Sequence, residues 1–305
     1  MKNIFIVVLN WNRAKDTLSC LESIKGLNKD NFNLSVVVVD NASADSSQKE
    51  LKSINIPNSK YFFIRNKKNL GYAGGMNVGM KYSLEKKADY IVLLNNDTRL
   101  DTNTISELLI TARKEKYAGI LCPKIYFEKG FEFHKKRYKE SELGKVIWYA
   151  GGNLDWNNVY GTNKGVDEVD NRQYDEIEDT DFATGNCIFI KASYLSELGL
   201  FDEKYYMYLE DVELCTRFKK NGVRVVYSPN SYMWHKVAQS SGIGSSLNDY
   251  FITRNRMLFG LKYAPYRTKL ALVRESMKLI KNGRKWQKVA IKDYYKGNLG
   301  KGSWK

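Results

Sequence analysis

A chain of 305 residues, 43% apolar and 27% charged, has ordinary globular composition and enough length for one large α/β domain or about two smaller ones. With 4 prolines against 22 glycines there is no Pro-rich linker, and collagen-like, coiled-coil and disordered classes are excluded. The net charge of +15 is uneven: residues 254–305 carry 15 Lys and Arg against 2 acids, so the first 253 residues are nearly neutral and the tail calls for an anionic partner.

Residues 4–9 form a first apolar run, too short for the core of a signal peptide, and no later stretch approaches the ~20 apolar residues of a membrane span. Cytoplasmic localisation is the expectation. The same run opens an alternation. Residues 4–9, 34–39, 61–64 and 90–94 read as short apolar strands; residues 14–24, 46–53, 75–86 and 103–114 read as helices between them. Continuous apolar strands separated by helices predict a mostly parallel sheet covered on both faces, a doubly wound α/β fold. Cys20, Cys122, Cys187 and Cys215 lie far apart with no C-x-x-C pair, which predicts reduced thiols and no zinc ribbon.

In such sheets ligands bind beyond the carboxyl ends of the strands. Those ends read Asn10-Trp11-Asn12, then Asp40-Asn41-Ala42-Ser43, then Asn69-Leu70-Gly71-Tyr72-Ala73-Gly74-Gly75, then Asn95-Asn96-Asp97. Each alone is explained by a capped turn, since Asn, Asp and Ser favour turns anyway. Four on the same edge of one sheet are harder to dismiss. The glycine loop matches neither the P-loop nor G-x-G-x-x-G; glycines before a helix either bring N–H groups to an anion or let the helix pack closely on the sheet.

Further along, residues 128–180 predict a polar insertion with a hairpin around 148–160; residues 129–145 are basic and 167–181 hold eight acids. A strand at 186–190 follows Ala183-Thr184-Gly185. A helix running to Lys220 is opened by residues 205–213, with the acids Glu210, Asp211 and Glu213. Residues 223–227 form a last strand leading to Trp234 and His235. Asp97 reads either as a carboxylate ligand for Mg²⁺ or Mn²⁺ or as the cap of a helix beginning near Asp101. Glu210 and Asp211 read either as a general base in a partly dry pocket or as acids complementing a helix dipole. His235 reads as a structural histidine or as the completion of a metal site. Between Arg267 and Lys281, Leu270, Val273, Met277 and Ile280 form an apolar helical stripe flanked by Arg267, Arg274, Lys278 and Lys281. With Tyr263, Tyr266, Trp286, Tyr294, Tyr295 and Trp304 nearby, the tail is expected to dock on an anionic membrane surface.

Taken in order over about residues 3–260, these motifs closely resemble the family 2 inverting glycosyltransferases, most of all a rhamnosyltransferase-like subgroup of cell-surface polysaccharide assembly in which the Arg254-Asn255 pair is also familiar. The resemblance implies a GT-A type, Rossmann-like sheet with an inserted acceptor-side region and a basic helical C-terminal extension. The catalytic domain would span 1–250, with a nucleotide-sugar half to about 125 and an acceptor half to 250, and the extension 251–305. Asn10, Asn12 and Asp40 would face the nucleoside, Asp40 taking the base N–H. Asn69, Gly71 and Asn96 would line the nucleotide pocket. Asp97 matches the last acid of an Asp-x-Asp motif for Mg²⁺ or Mn²⁺, and His235 a histidine that coordinates metal in some relatives. Asp211 matches the catalytic base, with Glu210 beside it. Asn95 stands where many members have an aspartate.

The activity implied is inverting transfer of a sugar from a dTDP-, UDP- or GDP-sugar donor to a hydroxyl of a glycan or lipid-linked glycan, on the inner face of the cell membrane. A sugar nucleotidyltransferase would want a basic phosphate loop near the first strand, where only Arg13 stands. A nucleic-acid-binding protein is suggested by the charge but leaves Asp97, Glu210 and Asp211 without a role, since acids repel phosphate. No nucleic-acid partner is expected.

Overall fold

The structure, a computed structural model of the chain, describes residues 1–237 and 245–304. Its first part alternates β1 (Lys2–Asn10), α1 (Ala14–Lys25), β2 (Phe32–Asp40), α2 (Ser47–Leu51), β3 (Ser59–Arg65), α3 (Gly71–Glu85) and β4 (Tyr90–Asn95). Next come β5 (Thr98–Leu100), α4 (Thr104–Lys114) and β6 (Ala118–Phe127), then an excursion with β7 (Ile147–Tyr149), β8 (Gly152–Asp155), β9 (Tyr160–Asn163) and β10 (Glu178–Asp179). The remainder is β11 (Cys187–Lys191), α5 (Ala192–Leu198), α6 (Glu210–Lys220), β12 (Arg224–His235), α7 (Ser246–Tyr263), α8 (Tyr266–Asn282) and α9 (Lys285–Lys296).

One mixed sheet runs in the order β10-β12-β6-β11-β4-β1-β2-β3, with β5 on β12 and β7 on β6. Residues 4–8 and 34–39 are buried without alternation, as expected for strands covered on both faces. The half made of β3, β2, β1 and β4 is parallel, and its registers align the carboxyl ends: Asn10 pairs with Asp40, Leu9 with Asn95, and Asp40 with Arg65. β11 enters antiparallel between β4 and β6. β12 runs parallel to β6, and its far end pairs antiparallel with β5, setting His235 opposite Thr98.

Several expectations shift by a few residues. The hairpin lies at β8–β9, slightly beyond 148–160, and the last strand continues past residue 227 to His235. Helix α3 begins at Gly71, not residue 75. A Cβ on Gly75 would lie 2.5 Å from Leu9, and one on Gly79 2.2 Å from Val7, so these two glycines serve close packing of α3 on β1. Helix α6 begins at Glu210, because residues 206, 208 and 209 adopt left-handed backbone that no helix accommodates. All four cysteines are free and buried, and burial raises the Cys20 and Cys122 thiols to about 12. Among the described residues no helix is long and apolar enough to cross a membrane. Lys305, the last residue of the expected extension, lies outside the described residues.

Candidate active site

The ends of β1 and β2 are joined by side chains. Asn10, fully buried, donates through Nδ2 to Asp40 Oδ1 at 3.0 Å and to Ser43 Oγ at 3.1 Å, while its Oδ1 accepts from Thr17 Oγ1 at 2.7 Å. Asn96 Nδ2 donates to the same Thr17 hydroxyl at 2.9 Å, bringing the β4 end into the network. Asp40 is also fully buried; its Oδ2 is held more loosely, by the Ser43 N–H at 3.3 Å and Arg65 Nε at 3.8 Å. Asn12 is exposed, with left-handed backbone, and accepts the Ala44 N–H at 2.7 Å. These bonds splice adjacent strand ends beside the last backbone bonds of the ladder, Asn41 N–H to Asn10 O at 2.8 Å and Asn66 N–H to Asp40 O at 2.9 Å.

Asn41 was not singled out from the sequence, yet it organises the glycine loop. Its Nδ2 donates to Asn69 Oδ1 at 2.9 Å and Gly71 O at 3.0 Å, and its Oδ1 accepts from Asn66 Nδ2 and Leu70 N, both at 3.0 Å. Gly71 has φ +74°, and a Cβ there would sit 2.5 Å from Tyr206, so glycine is needed twice over. The role of Asn41 was legible only as an invisible partner: an Asn one residue past a strand end reads equally as a turn former.

Asp97 follows β4 in the turn to β5, three residues short of Leu100; the helix beyond is capped at Asn103, so Asp97 is not its cap. The Asp97 carbonyl accepts the Lys236 N–H at 2.9 Å, which fixes the two segments together. Asp97 Oδ1 lies 3.4 Å from His235 Nε2 but makes no hydrogen bond among the described residues, and His235 Nδ1 is likewise buried without one. The imidazole is buried against the edge of Trp148, 4.9 Å between centroids. The Asp97 carboxylate facing the His235 Nε2 is a pair of donor types that a divalent cation takes, although no third His, Cys, Asp or Glu joins them among the described residues. Asn95 cannot add a charge: its Nδ2 donates to Asn186 Oδ1 at 2.6 Å, an amide–amide bond that an aspartate could not make in the same sense.

The Glu210–Asp211 pair opens α6. Asp211 Oδ2 accepts the Gly185 N–H at 2.8 Å and its Oδ1 the Val212 N–H at 2.8 Å. Tyr72, from the glycine loop, donates to Gly185 O at 2.6 Å. Burial pushes the Tyr72 hydroxyl far above its ordinary range, and the charges of Glu210, Asp211, Cys187 and Asp97 add to it. One phenol thus lies within electrostatic reach of the acid pair and of Asp97. Glu210 is buried, with Oε2 unpartnered among the described residues. Burial, and then the charge of Asp211, raise the Glu210 carboxyl well above its ordinary value; burial raises Asp211 too, opposed by the two N–H groups. Two backbone N–H groups bond the Asp211 carboxylate and favour its charged form, which suits it to be the ionised member of the pair.

The residues predicted from sequence thus meet at one edge of the sheet: Asn10, Asp40 and Asn96 in one network, Asn69 and Gly71 in the loop that Asn41 ties down, and Asp97 with His235. Glu210 and Asp211 reach that edge from α6. Tyr72, Gly185 and Asn186 join them. Their signal was the quoted motifs themselves, in which a tyrosine or glycine carries no chemistry until its neighbours are known.

A model of the family described as glycosyl transferase family 2 matches residues 5–195. Among curated relatives, the chain is 24% identical over 226 residues to the low-salt glycan biosynthesis hexosyltransferase of Haloferax volcanii, covering 74% of this chain and 64% of that protein. It is 26% identical to an N-acetylglucosaminyl-diphospho-decaprenol L-rhamnosyltransferase of Mycobacterium tuberculosis, covering 68% of each. Identity to the dTDP-rhamnosyl transferase RfbF of Shigella flexneri is 24%, over 84% of this chain and 79% of that one. In fold it is similar to GalNAc-T7, solved with UDP, GalNAc and Mn²⁺ (TM-score 0.69, 16% identity, 97% of this chain and 56% of that one). It is also similar to a mannosyltransferase of Pyrobaculum calidifontis, solved with GDP-Man and Mn²⁺ (TM-score 0.55, 14% identity, 96% and 74% covered). The chain spans under two thirds of the Haloferax protein and just over half of GalNAc-T7.

Proposed function

The chain belongs to glycosyl transferase family 2, and from that membership we propose that it moves a hexosyl or deoxyhexosyl unit from a dTDP-, UDP- or GDP-sugar to a hydroxyl of a glycan or lipid-linked glycan, with inversion. The observation that carries this reading is the convergence of two unlike acidic groups on one sheet edge: Asp97 with His235, each holding an unpartnered polar atom, and the buried Glu210–Asp211 pair across Tyr72. The rhamnosyl- and hexosyltransferase names of its relatives support the sugar class.

In this reading Asn10, Asn12, Asp40 and Asn96 receive the nucleoside, with the loosely held Asp40 Oδ2 turned to a base N–H, and Asn69 and Gly71 line the nucleotide's path. Asp97 and His235 would hold Mg²⁺ or Mn²⁺, which when bound supplies positive charge beside the diphosphate. Asp211, oriented by the Gly185 and Val212 amides, takes the proton from the acceptor hydroxyl as its oxygen attacks the anomeric carbon on the face opposite the phosphate. The C1–O bond to the nucleoside diphosphate breaks as the new glycosidic bond forms, so one displacement inverts the centre. Glu210, whose Oε2 has no partner among the described residues, contacts donor or acceptor. The proposed catalytic domain, residues 1–250, supplies every group named here. The test is a panel of dTDP-, UDP- and GDP-sugars scored by nucleoside diphosphate release with acceptor lipid present. Release with none of them would end the proposal.

The proposed place of action is the cytoplasmic face of the membrane. Helix α8 keeps most of its apolar stripe outside: Leu270, Met277 and Ile280 are 42, 58 and 39% exposed and Val273 is half-buried, while Thr268, Leu272 and Ser276 face inward. Arg267, Arg274, Lys278 and Lys281 are exposed beside the stripe. A stripe left uncovered and flanked by cations suits an anionic lipid surface, each basic residue adding ~1 kcal/mol. The aromatics expected to help divide into two groups. Tyr266 and Tyr295 are exposed, whereas Trp286 and Trp304 pack on each other at 4.7 Å and against Tyr250, and Tyr263 donates to Glu213, so these three serve the interior. Replacing Leu270, Met277 and Ile280 together by Gln removes the stripe without touching the buried face. Co-sedimentation with phosphatidylglycerol vesicles is expected to weaken at least ~10-fold. Equal partitioning of the two proteins, or equal binding to neutral vesicles, would refute docking by α8.

A further inference from the structure

We infer that Arg254 and Asn255 of α7 are positioning residues for the Glu210–Asp211 pair, an inference that rests on the role proposed for that pair. Immediately before the pair, Tyr206, Tyr208 and Leu209 have φ of 63°, 70° and 68°. Non-glycine residues are disfavoured there, and three in four positions persist only where the surroundings dictate them. Beside the Ala73 and Gly300 amides, which bond Tyr206 O and Lys204 O, two side chains hold the segment. Asn255 Nδ2 donates to the carbonyls of Tyr205, Met207 and Tyr208, each at 2.8 Å. Arg254 Nη2 donates to the carbonyls of Lys204 at 3.2 Å and Tyr205 at 3.1 Å. Arg254 also fixes its neighbour, with Nε and Nη2 3.1 and 3.0 Å from Asn255 Oδ1, so the amide can only present Nδ2 to the loop.

Both residues are fully buried, and Arg254 has no carboxylate within ion-pair distance among the described residues. Its charge is held by carbonyls, by the faces of Tyr250 and Phe251, 5.2 and 5.1 Å away, and through Nη1 by the Tyr250 hydroxyl at 3.4 Å, which itself donates to the Asp293 carboxylate. A guanidinium in that setting is costly, and an aliphatic side chain would pack there more cheaply. Stability alone does not call for it; a backbone course that only fixed donors can impose does. The same helix grips α6 one turn further on, where buried Glu213 accepts from Lys262 at 2.9 Å and Tyr263 at 2.6 Å. The first turn of α6, which carries the acid pair, is therefore held from both ends by α7.

The held segment also touches the donor side. Tyr206 O accepts the Ala73 N–H at 3.1 Å, and the Tyr206 ring stacks on Phe251 at 5.2 Å. Tyr206 OH also reaches Asn69 Oδ1 at 3.4 Å, but the loop containing Asn69 and Gly71 is tied chiefly by the shorter bonds of Asn41, so losing the clamp is expected to displace the acid pair more than the donor pocket.

The test uses the full chain with Mn²⁺, measuring turnover, donor KM and the stoichiometry of nucleoside diphosphate binding by calorimetry. Asn255→Ala is expected to lower kcat per binding-competent site at least ~10-fold, with donor KM changed less than about threefold, because small misplacement of a reacting group is felt in the chemical step. Arg254→Lys, which keeps a charge and a donor, is expected to retain more turnover than Arg254→Met. Amide exchange in Asn255→Ala is expected to quicken across residues 205–213 and not elsewhere. A fall in activity matched by the loss of binding sites, or unchanged kcat, overturns the inference. Should Asn255→Ala fail to fold, the nearly isosteric Asn255→Asp is read in the same way. If Asp211→Asn proves fully active, the base assignment is what fails, and the exchange measurement still decides whether Asn255 holds the segment.

Discussion

Asp211→Asn is expected to lower turnover at least ~10²-fold while leaving nucleoside diphosphate affinity within about threefold. Asparagine has the same shape and keeps an oxygen for the Gly185 N–H, which anchors Asp211 at 2.8 Å, so the turn should survive. It cannot accept a proton from an attacking hydroxyl. Glu210→Gln supplies the internal comparison. Burial and the neighbouring charge of Asp211 favour the protonated form of Glu210, and glutamine imitates that form. The Gln variant is therefore expected to lose much less than the Asn variant. If the order is reversed, Glu210 is the base; if both variants turn over normally, neither is.

A second large effect is expected from the metal. EDTA should abolish turnover, and Mn²⁺ or Mg²⁺ should restore it. Calorimetry gives a readout free of the chemistry: nucleoside diphosphate binding should strengthen with metal in the wild type, and Asp97→Ala should remove that gain, about 10-fold or more, while leaving metal-free binding unchanged. Asp97 Oδ1 is buried yet has no hydrogen bond among the described residues. Such an atom is expensive unless something binds it. His235→Ala should give a milder form of the same defect, since one neutral donor is lost and no charge. Full turnover in chelator would show that the amide of Asn95, bonded to Asn186, marks a metal-independent site.

How far the sequence could be read depended on how local the information was. The apolar runs at 4–9, 34–39 and 90–94 announced a sheet covered on both faces, because a strand with no wet face needs no alternation. The antiparallel entry of β11 left no such mark: residues 187–191 are equally apolar in either direction, and their pairing is set by partners in β6 and β4 about 70 to 100 residues earlier. At the site, the charged groups were visible because a carboxylate or imidazole at a strand end implies chemistry by itself. Asn41, Tyr72 and Asn255 were not, since their function lies in which carbonyl or amide they meet. The helix expected from residue 205 started at Glu210 for the same reason: local sequence favoured another turn of helix, and Asn255, some 50 residues on, bonded the backbone into a different course.

The position of β11 also bears on how the chain reaches this state. The first 95 residues contain all of β3, β2, β1 and β4 and every pairing among them, so this half can assemble while the rest is still being made. The next neighbour of β4 is β11, beginning at Cys187, more than 90 residues later. At ~5–20 residues per second, synthesis of that interval takes roughly 5–20 s. Throughout it, the edge of β4 presents Ile91, Val92, Leu93 and Leu94 on an open ladder, an invitation to foreign strands. The central strand of the finished sheet is thus the most exposed strand of the nascent one. Crowded translation at high temperature should hurt the yield of this chain more than dilution of the folded protein ever would.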